Sequence, residues 1–223
     1  MCTKRKIKEI ADNLERYRLC IVGVLLENNG EHFEQYFEIM RQFKEKTASD
    51  HEFRQLFIQY YRMNVGGGLT PRQGDMFFGI LFNKETNLRK ILESLYDADE
   101  NDQTWFLSFA TKLRHTVNTK LPIYDSRIAS TLVLGLPAQE NNGLARNLRL
   151  KNRIEINTTL EEYFSAMFEE SEIKEFLKTV RGNLKEKAQK QNLSCSEKIG
   201  LPNKLSEEKL LDSCLWALYR CMV

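Results

Sequence analysis

The chain has 223 residues, enough for one compact domain or for two small lobes sharing a core. Apolar residues make up 42% of it and charged residues 29%, a globular balance that excludes a wholly disordered, collagenous or membrane-embedded chain. Lys and Arg number 33 against 31 Asp and Glu, a formal net charge of +2, so any preference for nucleic acid or membrane must come from local patches.

Only four prolines and eleven glycines punctuate the chain, and the stretches between them carry apolar residues at three-to-four spacing rather than in alternation. An all-α fold is expected. Ile7, Ile10, Leu14, Tyr17, Ile21, Val24 and Leu25 mark a first stripe. Phe33, Tyr36, Phe37, Met40 and Phe43 mark a second after the Asn28-Asn29-Gly30 break, and Phe53, Leu56, Phe57, Tyr60 and Tyr61 a third. Thr70 and Pro71 read as the N-cap and first position of a helix through Leu81, and Thr86 as the cap of a helix through Leu95.

The acidic stretch Asp97 to Asp102 reads as an exposed loop before a helical run from Trp105 to Val117. Pro122 breaks the chain, and Asp125 or Ser126 caps a helix that Gly135 and Pro137 terminate. An amphipathic segment from about Leu160 to Leu184, a polar connector from Lys185 to Lys204 and a last helix through Leu218, docked by Trp216 or Tyr219, complete the chain. The expected organisation is two helical lobes with a cleft, approximately 31–117 and 1–30 plus 118–223.

The five cysteines, Cys2, Cys20, Cys195, Cys214 and Cys221, show no CxxC or zinc-type spacing, and three histidines accompany them. A reducing cytoplasm fits this pattern. The apolar run Leu19 to Leu26 is far too short for a membrane span, and Glu9, Asp12 and Glu15 are unlike the leader of a signal peptide.

Three features rise above the helical background. Gly66-Gly67-Gly68 could let backbone N–H groups approach an anion, but it lacks the GK[ST] of a P-loop and reads more simply as a turn. From Trp105 to Glu155, eight basic residues (Lys112, Arg114, Lys120, Arg127, Arg146, Arg149, Lys151, Arg153) face three acidic ones, which is either a phosphate-contacting footprint or an ordinary solvated face. The third feature is residues 106–134, FLSFATKLRHTVNTKLPIYDSRIASTLVL: a lysine on an apolar helix, a short basic loop with a proline, then an aspartate opening the next helix.

This segment resembles the helix-hairpin-helix DNA glycosylase superfamily, and within it branches similar to oxoguanine glycosylases. Phe109, Thr111, Lys112 and Leu113 match the first half of that motif, F-x-[ST]-K-[LF]; Pro122, Ile123, Asp125, Ile128 and Ala129 match the second, P-[IL]-x-D-x-x-[VI]-A. Where the superfamily hairpin carries a Gly-x-Gly turn, this chain has Asn101 to Ser108, and no four-cysteine cluster spacing occurs near the C-terminus. The resemblance implies a glycosylase-like helical scaffold with catalytic Lys112 and Asp125.

Base release develops oxocarbenium character on the sugar, which a fixed carboxylate such as Asp125 can stabilise. A lysine desolvated by Phe106, Phe109 and Leu113 can attack C1′ and hold the sugar as a Schiff base, with or without strand cleavage. Arg114, His115, Lys120, Arg127, Arg146 and Arg149 are candidates for DNA contact, and Trp105, Tyr124 and Tyr61 for stacking on an extruded base. Each has a plain structural reading beside it. Asp125 is also an N-cap, Lys112 can snorkel from an apolar face, His115 can be a satisfied core histidine, and the aromatic residues can be core.

The function expected is excision of a modified or damaged base from duplex DNA by a monomer, without metal or organic cofactor and without membrane contact. The location expected is cytoplasmic, at the nucleoid in a prokaryote. The alternatives are a non-catalytic helical nucleic-acid-binding protein on the same scaffold, and a helical protein–protein adaptor.

Overall fold

The computed structural model describes residues 4–45, 51–63, 68–101, 104–134, 145–190 and 205–223. Among the described residues eleven α-helices and one 3-10 turn form the fold, with no strand. The fold is all-α, as the three-to-four apolar spacing dictates. Val65, Gly66 and Gly67, Asp102 and Gln103, Gly135 and Pro137, and the part of the expected connector from 191 to 204 lie outside the described residues.

Contacts divide the chain into two compact units, one of Met1–Glu34, Asp125–Gly135 and Thr158–Val223, the other of Gln35–Tyr124 and Leu136–Asn157. The second unit holds most of α3 (Glu31–Lys44), then α4 (His51–Tyr61), α5 (Pro71–Phe82), α6 (Leu88–Asp97) and α7 (Leu107–Val117). Its core is aromatic. Phe53, Phe57, Phe77 and Phe78 are almost wholly buried, with ring centroids 5.2–6.3 Å apart in tilted and edge-on pairs, the arrangement ring quadrupoles prefer.

Local signals set the ends of these helices. Thr70 and Gln73 form a reciprocal capping box: Thr70 Oγ1 accepts the Gln73 N–H at 3.4 Å, and Gln73 Oε1 accepts the Thr70 N–H at 3.0 Å. Pro71 fills the first helical position, where no N–H is needed. The expected cap Thr86 is displaced by Asn87, whose Oδ1 accepts the Lys90 N–H at 3.1 Å. Glu85 Oε1 accepts the N–H groups of both Thr86, at 2.9 Å, and Asn87, at 2.8 Å, just before the helix.

The first unit holds α1 (Lys4–Arg16), α2 (Arg18–Leu25), the 3-10 turn Glu27–Gly30 and α8 (Ser126–Leu132). It also takes the C-terminal part of α9 (Arg146–Glu169), α10 (Ser171–Lys190) and α11 (Glu207–Met222). α11 is its organising element and packs on α1, α2, α8 and α10. Most of α11 is buried, including two charged residues: Lys209 Nζ donates to Asp212 Oδ2 at 2.8 Å. Pairing within one helix turn keeps either charge from being buried alone, which would cost several kcal/mol. A disulfide, Cys20–Cys221, ties α2 to the end of α11, and Cys214 is a buried free thiol.

Two boundaries differ from those read in the sequence. α9 begins at Arg146 rather than near Leu160, and the basic residues from Arg146 to Arg153 form its first turns, with Arg146 and Arg149 held to α6. The stretch to Leu184 is two helices broken at Glu170, and the second continues to Lys190, into the stretch read as a connector. Among the described residues no helix is long and apolar enough to cross a membrane.

α8 ends on Val133, which takes the left-handed conformation with φ 52° and is 71% exposed. A β-branched side chain is costly there, and little burial compensates. Val133→Gly is expected to stabilise the protein by about 1 kcal/mol, raising Tm by roughly 2–4 °C; a thermal melt showing no change or a loss would contradict this reading of the cap.

Candidate active site

The motif segment is built on the buried face of α7, where Ala110, Thr111, Lys112, Leu113, His115 and Thr116 all lie inside. After α7 the chain turns at Asn118, whose Oδ1 accepts the Lys120 N–H at 3.1 Å, and returns along the helix. Two polar side chains of α7 hold the returning strand of chain. His115 Nδ1 donates to the Leu121 carbonyl at 2.7 Å. Thr111 Oγ1 accepts the buried Tyr124 N–H at 3.0 Å while donating to the Ser108 carbonyl at 3.0 Å.

The His115 tautomer follows from those partners. A ring nitrogen facing a carbonyl must carry the hydrogen, so Nε2 is the acceptor and takes the Tyr36 hydroxyl at 3.1 Å. His115 is 1% exposed with both nitrogens engaged, so it latches the loop and offers no nitrogen to a phosphate.

Lys112 is 8% exposed. Its ammonium donates to the Tyr61 carbonyl at 3.3 Å and lies 5.7 Å from the Tyr61 ring and 5.2 Å from the Phe109 ring. Phe109 is itself held flat against Phe106, centroids 5.3 Å apart. Ring faces and a carbonyl oxygen replace part of the hydration that burial removes from the charge.

Asp125 follows Tyr124 by one peptide bond. It caps α8 from an extended backbone, φ −131° and ψ 145°, with Oδ1 accepting the Arg127 N–H at 2.9 Å. Its other oxygen, Oδ2, has no hydrogen-bond partner among the described residues. Capping therefore engages one oxygen of this half-buried carboxylate.

Arg127 lies on α8 with its guanidinium 4.9 Å over the Trp216 ring of α11. It forms no ion pair or side-chain hydrogen bond among the described residues. Trp216 also carries the Arg220 guanidinium at 5.4 Å and stacks parallel to His32 at 6.3 Å. The sequence marks Trp216 only as a docking residue; its support of Arg127 depends on the packing of α11 against α8, which no local spacing encodes.

The arginine candidates other than Arg127, with Lys151 and Arg153, are engaged inside the second unit. Arg146 holds Asp97 through both carboxylate oxygens, at 2.7 and 2.8 Å, and lies 4.8 Å over Tyr96. Arg149 Nη2 donates to the Tyr96 hydroxyl at 3.3 Å, and Arg153 to the carbonyls of Trp105 and Arg149. Arg114 donates to the Thr86 carbonyl at 2.8 Å and to Asn157 Oδ1 at 3.3 Å, and Lys151 pairs with Glu155.

Trp105 is 3% exposed and stacked on Tyr96 at 4.1 Å, and Tyr124 is 5% exposed. Neither ring lies open for a base to stack on. Of the basic side chains proposed to meet DNA, Lys120 is exposed and Arg127 half-buried, and neither cationic end forms an ion pair or side-chain hydrogen bond among the described residues.

No protein-family profile, characterised protein or solved structure matches this chain. Among the described residues no three His, Cys, Asp or Glu side chains gather into a metal site.

The Thr111 hydroxyl is the group on which the returning loop depends. Thr111→Val keeps the shape but leaves the buried Tyr124 N–H without its acceptor, a loss of about 1–3 kcal/mol. Urea unfolding should show that loss, and a midpoint equal to wild type would mean that the loop is held elsewhere.

Proposed function

We propose that the chain is a DNA glycosylase-like base-excision enzyme, with Lys112 as nucleophile and Asp125 as the stabilising carboxylate, acting on a modified base turned out of duplex DNA. The observation that carries this reading is the Thr111–Tyr124 hydrogen bond. It ties the residue before Lys112 to the residue before Asp125, joining the two halves of the motif. The Asp125 oxygen left over from capping supports it further.

In this reaction the neutral amine of Lys112 attacks C1′, and the base leaves with the bonding electron pair. The proton lost by nitrogen after attack balances the proton taken up by the departing base. Asp125 Oδ2 faces the positive charge that develops on the sugar ring. The ring then opens to a Schiff base on Lys112, from which β-elimination can cut the strand. The reading takes a monomer without added cofactor, in the cytoplasm and at the nucleoid of a prokaryote, with Arg127 and Lys120 meeting phosphates. A second reading, a binding module without chemistry, is favoured by the Lys112 ammonium already donating to the Tyr61 carbonyl.

Borohydride trapping on a panel of modified-base duplexes separates the two. Wild type is expected to give a covalent adduct, Lys112→Gln none while still binding DNA, and Asp125→Asn little base release with stability within a few tenths of a kcal/mol, since asparagine also caps. Equal DNA binding with no adduct from any of the three would favour the module. In the salt dependence of duplex affinity, Arg127→Gln should lower the logarithmic slope by about 0.9, the value of one phosphate contact. An unchanged slope would remove Arg127 from the interface.

A further inference from the structure

The Cys20–Cys221 bond lies where a thiol in solution can reach it. Cys20 is exposed and Cys221 half-exposed, whereas Cys214 is wholly buried and burial pushes its thiol well above the usual range. Cys214 is thus poorly placed to exchange into the bond, and among the described cysteines the chemistry is confined to the pair.

The bond also sits where the first unit needs a tie. α2 has eight residues, of which Ile21, Val22 and Val24 are β-branched and Gly23 is a weak helix former, and Tyr17 gives its N-terminus no side-chain cap. A helix this short holds only through tertiary contacts. Apart from apolar packing, α2 and the turn after it are tied to α11 by the disulfide and by Arg220, which grips both Glu27 oxygens at 2.6 and 3.1 Å. The ion pair is between a third and a half exposed on each side, so it contributes little. The covalent bond closes a loop of 201 residues, and long loops are those in which a cross-link most restricts the unfolded chain.

We propose that Cys20 and Cys221 form a redox clasp: closed, it pins the last turn of α11 to α2, and opened by a dithiol it releases that turn. In closing, one protein thiolate attacks a low-molecular-weight disulfide and expels one small thiolate. The second protein thiolate attacks the mixed disulfide at the protein sulfur and expels the other. Two electrons pass from the cysteine pair to the small disulfide, and the two protons end on the two small thiols. A dithiol reverses both steps and is itself oxidised to a disulfide. In a reducing compartment the clasp is open at rest and closes under oxidation. The same stretch of α11 carries Arg220 and Trp216, so the clasp holds the turn next to the ring that supports Arg127. None of this depends on the glycosylase reading, and its test uses no DNA.

The full-length protein is incubated with dithiothreitol or with oxidised glutathione, alkylated with iodoacetamide and weighed by mass spectrometry. Each form is then melted and followed by hydrogen exchange over Glu207–Met222. Oxidised glutathione should protect Cys20 and Cys221 from alkylation, raise Tm by about 5–15 °C and slow exchange in the last turn of α11. Cys20→Ser and Cys221→Ser should each melt with the reduced wild type and ignore the oxidant. Cys20 and Cys221 staying alkylatable under oxidised glutathione would overturn the clasp, as would a bond that forms without changing Tm or exchange.

Discussion

The Thr111 hydroxyl stands at the centre of the motif because it is asked to satisfy two backbone groups at once. It donates to Ser108 within its own helix and accepts from Tyr124 on the returning chain. A buried N–H without an acceptor would cost about as much as several surface ion pairs together contribute. The loop therefore closes on α7 in one register. His115 makes the same kind of contact one turn further along, through Leu121. With both ties made, Pro122 and Tyr124 are placed, and Asp125 follows by covalent geometry as the cap of α8.

The arginines show why a local count of charge is a poor guide to a binding face. The excess of basic residues between 105 and 155 is real, yet Arg114, Arg146, Arg149 and Arg153 turn their donors to carbonyls, an amide oxygen, a phenol and a carboxylate of the same unit. The planar guanidinium suits this work, since it stacks on Tyr96 while its edge donates. These side chains bind the start of α9 to α6 and the segment before α7. Arg127 differs because Trp216 takes its face while its edge meets no acceptor among the described residues.

What could be read in the sequence was what depends on near neighbours. The apolar spacing showed the fold class, although the stripe from Ile7 to Leu25 is two helices and the first turns of α9 were not marked, and Thr70-Pro71 with Gln73 specified its own capping box. Asp125 was legible as a cap because a short polar side chain before a helical run has few other uses. Where two neighbours compete, as Thr86 and Asn87 do, residue type alone does not decide, and the cap is Asn87, whose Oδ1 reaches the Lys90 N–H. Long-range partners were illegible: Cys20 and Cys221 lie 201 residues apart, and neither the Arg146–Asp97 pair nor the Arg127–Trp216 stack has a local signature. The break at Glu170 was hidden too, because no Gly or Pro marks it.

In the proposed reaction the amine of Lys112 becomes bonded to the sugar. Its most direct test is to reduce the wild-type protein with borohydride on a duplex carrying the excised base, digest the adduct, and locate the modified residue by mass spectrometry. The added sugar mass is expected on Lys112 and on no other lysine. A sugar mass found on a different lysine, or none on any peptide after base release, would contradict it.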